Sequence, residues 1–363
     1  MLNLIDRQMV LGFLKAFVVC LTSLLTLYVV VDLFTNMDDF QGKNLVESLN
    51  RIGLYYGYRL PQIFDRLVES IILLAAMFTV AWMQRNNEQL PLLSAGVSTR
   101  RIVLPVLLAA CAMLSLATLN QEFVMPLVAG KLHYPKDDPD GVKDTLVQAA
   151  FDANGVHLTG RLASAPKKTV YQFCATIPES IAANLVHLVA DEARFTSLGP
   201  RQGVWELTGT KPAELVEMPE NNVIEVVDKG RYRLFVRDVT FDALTRRMNW
   251  YIWASTPRIW EELRRSDGNR QLGMAVIFHQ RLARPVVGIL LVLLGISMIL
   301  RDQNRNMILS VGGCLGLCGL FFIVIQSCRT LGENDLLSPV LAAWIPILVF
   351  APFTLPLFDA VHT

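Results

Sequence analysis

The sequence predicts an α+β membrane protein: six transmembrane helices, three on each side of an inserted β domain of jelly-roll type. Three observations predict it. The 363-residue chain is 53% hydrophobic and only 18% charged, with a mean hydropathy of +0.40. That is too apolar for a soluble protein and too charged for a bare bundle of spans. Six apolar stretches approach the length of about 20 helical residues that a hydrocarbon core of roughly 30 Å requires. A polar region with short strand-like alternation separates the third stretch from the fourth.

The first span is expected at 10–34, entered through Asp6, Arg7 and Lys15. Its apolar run is too long for a signal peptide and lacks a small-residue cleavage site, so it reads as a helix that stays. The second is expected at 63–83, with Asp65, Arg66 and Glu69 at its start, and the third at 102–119. Between them lies a short polar-then-small stretch, Asn86-Asn87-Glu88-Gln89-Leu90-Pro91-Leu92-Leu93-Ser94-Ala95-Gly96-Val97-Ser98. Both its ends are pinned by spans, so it is a turn-around on one membrane face. It reads either as a short surface helix for a soluble partner to grip or as an ordinary interhelical loop. The remaining spans are expected at 272–300, 307–328 and 339–357.

Six spans put both termini on one side. The turn-around carries Arg85, Arg100 and Arg101, and the link after the fourth span carries Arg301 and Arg305. The loop after the first span carries Lys43, Arg51 and Arg59 over a longer stretch. The positive-inside rule then favours termini, turn-around and the 301–306 link inside, with the polar domain outside the cytoplasm. The expected division is 1–123 for spans one to three with a coupling segment at 84–100, 124–257 for the β domain, and 258–363 for a connecting helix and spans four to six.

Within the domain, strands are expected at 155–160, 169–173, 185–189, 193–196, 203–208 and 231–236. Short alternating strands spaced by Gly, Pro and Asn argue for a β-sandwich or jelly roll. Its single core is expected between two sheets, either slightly open, to shelter an acyl chain, or closed. After it, Pro257-Arg258-Ile259-Trp260-Glu261-Glu262-Leu263-Arg264-Arg265 reads as a short amphipathic helix. Arg281 and Arg284 fall early in the fourth span. Such charges either face protein or a water-filled cavity or snorkel to the interface.

The chemistry of common enzymes is missing. No phosphate-binding Gly-x-x-x-x-Gly-Lys-Ser/Thr loop, His-Glu-x-x-His zinc motif or Gly-x-Ser-x-Gly elbow is present. Net charge is +1, so nothing points to nucleic acid. Of six cysteines only Cys174 lies in the polar middle, and no metal-ligand spacing appears. Cys314 and Cys318, four apart on a span, suit small-residue packing. The five His residues are scattered; only His279 lies near a span.

Four local patterns on this layout resemble the LptF/LptG permease family over essentially the whole chain. The turn-around, with its Glu88, Ala95-Gly96 and Ser98, is similar to the family's coupling segment. Leu188-Val189-Ala190-Asp191-Glu192-Ala193-Arg194-Phe195 followed by Gly203-Val204-Trp205-Glu206-Leu207 resembles the family's Ala-x-x-Ala and Gly-x-Trp-x-Leu strands. Phe278-His279-Gln280-Arg281-Leu282-Ala283-Arg284-Pro285 resembles its Phe-His-x-x-Leu-Ala-x-Pro, and Ala343-Trp344-Ile345-Pro346 its Trp-x-Pro.

The resemblance implies the membrane half of an ABC transporter in the bacterial inner membrane, extracting lipopolysaccharide from the outer leaflet. It implies a second permease of the same family, usually as a heterodimer, and a separate cytoplasmic ATPase dimer that binds ATP and magnesium, so that this chain holds no cofactor and is no enzyme. The β domain, in the periplasm, is implied to pass lipid to jelly-roll bridge proteins edge to edge. Glu88 would contact the ATPase, with Leu92, Leu93 and Gly96 seated in its groove. The first and fifth spans would form a gate, making Phe34, Phe321, Lys43, Arg51 and Arg59 lipid-path candidates. One departure stands out. The outer end of the first span is acidic (Asp32, Asp38, Asp39), with Lys43 the nearest cation, where the family often carries basic residues suited to lipid phosphates. Two rival readings have other signatures. A non-transporting scaffold whose β domain binds a periplasmic partner would tolerate Glu88→Ala. An ion-coupled carrier needs a buried carboxylate or His deep in a span, for which Asp65 and Glu69, near a helix end, are the only acidic candidates, and inverted repeats, of which no convincing example is seen.

Overall fold

A computed structural model describes residues 4–37, 45–132, 144–179, 181, 184–199, 202–213, 223–245, 249–265, 272–301 and 307–359. The chain divides into a helix unit, Met1–Leu132 with Tyr251–Thr363, and a β unit, His133–Trp250.

In the helix unit, α1 (Leu4–Thr35), α2 (Leu45–Arg85), the short α3 (Gln89–Ser94) and α4 (Thr99–Leu119) precede the β unit. A π-helical turn (Asn120–Val124) and α5 (Met125–Leu132) continue α4. The β unit ends in the five-residue α6 (Phe241–Thr245). After it come a 3₁₀ turn (Trp250–Ile252), α7 (Thr256–Arg265), α8 (Leu272–Arg301), α9 (Met307–Glu333) and α10 (Pro339–Asp359). Among the described residues, four helical stretches are long and apolar enough to cross a membrane: Leu4–Thr35, Thr99–Gly130, Leu272–Leu300 and Pro339–Asp359.

The core is built on α2. Val68, Ile71, Ile72, Leu73, Ala75, Ala76 and Val80 are wholly buried there, covered by α1, α4 and α8. Small residues let these helices close up, as expected where lipid supplies no hydrophobic drive between helices. A Cβ on Gly295 would lie 2.3 Å from Leu73 Cδ1. Large side chains meanwhile point outward along the helices: Leu27, Val31 and Phe34 on α1, Leu108 on α4, Phe322 and Ile323 on α9, Leu348 and Phe353 on α10. An apolar surface of that extent faces lipid or another membrane chain. The chain is a membrane protein.

Among the described residues, the β unit is one antiparallel sheet of nine strands: β1 (Thr145–Leu146), β2 (Ala150–Phe151), β3 (His157–Thr159), β4 (Leu162–Ser164), β5 (Thr169–Ile177), β6 (Val186–Ser197), β7 (Gly203–Thr208), β8 (Ile224–Asp228) and β9 (Arg231–Val236). Their order is β1-β4-β5-β6-β7-β9-β8, with β3 also pairing β5 and β2 pairing β3. The six expected strands are all here, but 185–189 and 193–196 are one strand. The alternation changes phase because Asp191 and Glu192 both face outward; opposite them on β5, Gln172 has φ +51 and the same phase change occurs. The sheet turns a corner there, so one bent sheet encloses the core expected between two.

That core centres on Trp205, wholly buried, with Phe173 stacked at 5.1 Å and Phe195 at 5.0 Å. Buried Asp152 accepts backbone N–H bonds from Arg237, Asp238 and Val239 at 3.0, 2.9 and 3.2 Å, closing one end of it. On the outer face, Cys174 Sγ lies 3.2 Å from His187 Nε2, and burial pushes its thiol pKa up.

Candidate functional site

Two places on the helix unit concentrate polar chemistry, one just past the C-terminal end of α2 and one at its middle. The first is the turn-around. Asn87 (φ +55) closes α2: its N–H bonds Gln84 O, and the Glu88 N–H bonds Met83 O. Gly96 (φ +81) closes α3 in the same way, with its own N–H on Leu93 O and the Val97 N–H on Leu92 O. Each is a Schellman cap, which needs a left-handed residue just past the helix end. Asn tolerates that conformation and glycine adopts it freely. Two caps nine positions apart make a rigid corner.

The corner is also tied down. Glu88 accepts a long hydrogen bond from Gln8 Nε2 (3.5 Å), Arg101 pairs with Asp6 at 2.9 Å, and Arg100 pairs with Asp359 at 2.5 Å. The first turn of α1 and the last of α10 therefore meet at the turn-around. Leu92 and Leu93 are half-buried and pack on the helix core, which also holds Val97. The outward face is Glu88, Leu90 (54% exposed), Pro91, Ser94, Ala95 and Gly96. Glu88, expected to contact the ATPase, and Gly96, expected in its groove, are outward; Leu92 and Leu93, also expected in the groove, are half-buried and pack on this chain's own helix core.

The second place is a buried ionic network where the early part of α8 meets α2 and the π turn. Arg284 Nε donates to Glu69 Oε1 (2.6 Å), its Nη1 to Asp65 Oδ1 and Gln121 Oε1 (both 2.8 Å), and its Nη2 to the Asp65 carbonyl (2.7 Å). Arg281 donates to the carbonyls of Ala254 (2.6 Å), Ile252 (2.8 Å) and Tyr251 (3.3 Å), and to Thr256 Oγ1 (3.3 Å). Both arginines thus face protein rather than snorkel. Arg284 places one N–H on each of the two carboxylates, so the charge faces protein groups of opposite sign, while the buried Arg281 Nε has no hydrogen-bond partner among the described residues. A cavity of about 320 Å³ opens beside them, lined on its polar side by Gln62, Arg66, Gln280 and Arg329 and on its apolar side by Ile325 and Pro346.

The described lipid-path candidates differ in exposure. Phe34 is 76% exposed on α1, as a lipid-facing side chain is. Phe321 corrects the expectation: it is 2% exposed, its ring 4.3 Å from Phe350, because α9 turns that face onto α10. Arg59 lies 4.3 Å over the Tyr55 ring. Lys43, Asp38, Asp39 and the 302–306 link lie outside the described residues, as do the side chains of Arg51, Cys314 and Cys318. Acidic Asp32 is engaged: it accepts from Tyr56 Oη at 2.7 Å and from Asn36 Nδ2 at 3.1 Å. Sequence reasoning missed Gln121, Glu122 and Thr256. The available signal was the polar triplet Asn120-Gln121-Glu122 closing an apolar run, followed by another apolar stretch.

The model of one protein family, described as lipopolysaccharide export system permease LptF/LptG, matches residues 8–138 and 179–359. No curated protein matches the chain.

Proposed function

Since the chain belongs to the LptF/LptG family of lipopolysaccharide export permeases, we propose that it is the membrane half of an ATP-driven exporter worked by a separate cytoplasmic ATPase dimer. The observation that carries this is the turn-around. It is a rigid, doubly capped corner that presents one carboxylate, Glu88, beside an exposed apolar edge at Leu90, Pro91 and Ala95. A corner that does not flex passes a push on its outer face into α2 and α4. Leu92 and Leu93 anchor it from behind. ATP and magnesium belong to the partner, and this chain contributes shape and leverage.

The proposed topology has six crossings: α1, the 63–83 part of α2, α4, α8, α9 and α10. An even number is supported by the two ends of the helix unit that meet the turn-around through Asp6 and Asp359. With the turn-around cytoplasmic in the inner membrane, the β unit is periplasmic. Its edges suit docking by strand addition, with Val226 and Val227 exposed on β8 and Leu146 and Phe151 on β1 and β2. Jelly-roll bridge proteins are the proposed partners there, and a second permease of the family is the partner in the membrane. Phe34 and the cations Lys43, Arg51 and Arg59 are the proposed contacts for an anionic lipid. Asp65 and Glu69 are both bonded to Arg284, which argues against ion-coupled transport by a free carboxylate.

The test is co-purification from native membranes in mild detergent. Wild type is expected to bring down an ABC-type ATPase, and Glu88→Ala to lose it while remaining folded and membrane-inserted. A wild-type preparation with no ATPase refutes the reading.

A further inference from the structure

The chain leaves the helix unit after Leu132 and re-enters it at Tyr251. The re-entering segment, 251–256, is held by two groups from elsewhere, buried Arg281 and half-buried Glu122. Arg281 of α8 takes three of its carbonyls and the Thr256 hydroxyl. Glu122 of the π turn accepts the Thr256 backbone N–H at 2.8 Å and its Oγ1–H as well, so a carboxylate caps the start of α7. Glu122 and Arg281 themselves lie 3.8 Å apart, with the Arg281 side chain 5% exposed. Further along α7, Trp260 stacks on Phe278 of α8 at 5.1 Å, and Ile259 is wholly buried.

The π turn is what makes this possible. One residue more per turn than an α-helix re-aims the side chains that follow. Here consecutive residues serve one network: Gln121 accepts from Arg284, and Glu122 accepts from Thr256. Through Arg284 the network reaches Asp65 and Glu69 on α2. From Asp65, α2 runs as one helix to Arg85 at the turn-around, about 30 Å at 1.5 Å per residue.

We infer that Glu122 and Arg281 are positioning residues for transport: they fasten the chain returning from the β unit to the helices that the turn-around moves. This rests on the exporter reading. They touch neither lipid nor nucleotide, and they make a displacement of α2 and α8 a displacement of residues 251–256. A lysine at 281 keeps the charge but has no planar fork to reach several carbonyls together.

The experiment uses the whole exporter with its ATPase and second permease in lipid nanodiscs, with Arg281→Lys, Glu122→Gln and the milder Thr256→Val. Hydrogen exchange at residues 251–257 is measured first, without nucleotide. All three variants are expected to exchange there at least about tenfold faster than wild type, with the β unit's own strands unchanged. ATP hydrolysis and lipid release are then measured separately. Hydrolysis is expected within about twofold of wild type and release at least about tenfold lower, a split that simple loss of folding does not give. Unchanged exchange overturns the fastening, and unchanged release overturns its role in transport. Hydrolysis and release falling together in all three variants overturns it too. A wild-type exporter that hydrolyses ATP without releasing lipid strikes the exporter reading instead, and the exchange result still decides the fastening.

Discussion

Gly96 carries its role in its backbone. At φ +81, with no atom within 4 Å of where a Cβ would sit, the constraint is conformational and not spatial. A left-handed turn costs an alanine about 1–2 kcal/mol. Gly96→Ala should therefore loosen the corner by about that amount, seen as faster hydrogen exchange at Gly96 and Val97, with the rest of the helix unit unaffected. Asn87→Gly should cost little, because the same conformation suits glycine. The short helix at the turn-around was legible in the sequence because a carboxylate and an Ala-Gly pair interrupt an apolar pattern. The packing of Leu92 and Leu93 on the chain's own core was not. On a six-residue helix, which leucine faces its own core depends on how the two flanking helices cross, and that is tertiary information. Phe321 was illegible for a related reason: α9 is apolar around its circumference, so hydropathy shows that it is apolar enough to be covered but not which face is.

At the scale of elements, α2 and α8 are joined by charge where most of their contact is apolar. Removing one side of a buried pair strands the other and costs about 3–5 kcal/mol. Arg284→Met should lower thermal stability in detergent by up to that order, since Asp65 and Glu69, both half-buried, would be left without their cation. The triple change that also makes Asp65→Leu and Glu69→Leu should recover most of the loss. In the β unit, Trp205→Ala opens the centre of the core and should cost about 3–5 kcal/mol, read as early loss of the sheet's circular-dichroism signal. The strands β7 and β9 were legible to the residue, β9 because its alternation is regular and β7 because an apolar run is bounded by Gly203 and Gly209. β1, β2, β4 and β8 were not: three of them have two or three residues, and β8 exposes four of its five. Arg281 and Arg284 were visible as charges within a span. Their partners were not, since the π turn that presents Gln121 and Glu122 has no periodicity of its own to read.

For the whole molecule, the division into a helix unit with an inserted β unit follows from hydropathy alone, and the family match accounts for the lipopolysaccharide export role. The C-terminal half of α1 is only partly covered: the helix's buried residues are Asp6, Met9, Phe13 and Phe17, all in its first four turns. Lipid or the second permease must cover the remainder. Cysteine placed at Val31 should cross-link to that second permease in native membranes, and cysteine at buried Phe13 should not. The central claim is that ATP hydrolysed by a partner moves lipid through this chain. Its most direct measurement is lipopolysaccharide release from proteoliposomes holding the reconstituted exporter, with and without ATP, using wild type beside Glu88→Ala. The account predicts ATP-dependent release with wild type and none above background with the variant. Release that ignores ATP, or that is equal in both proteins, would contradict it.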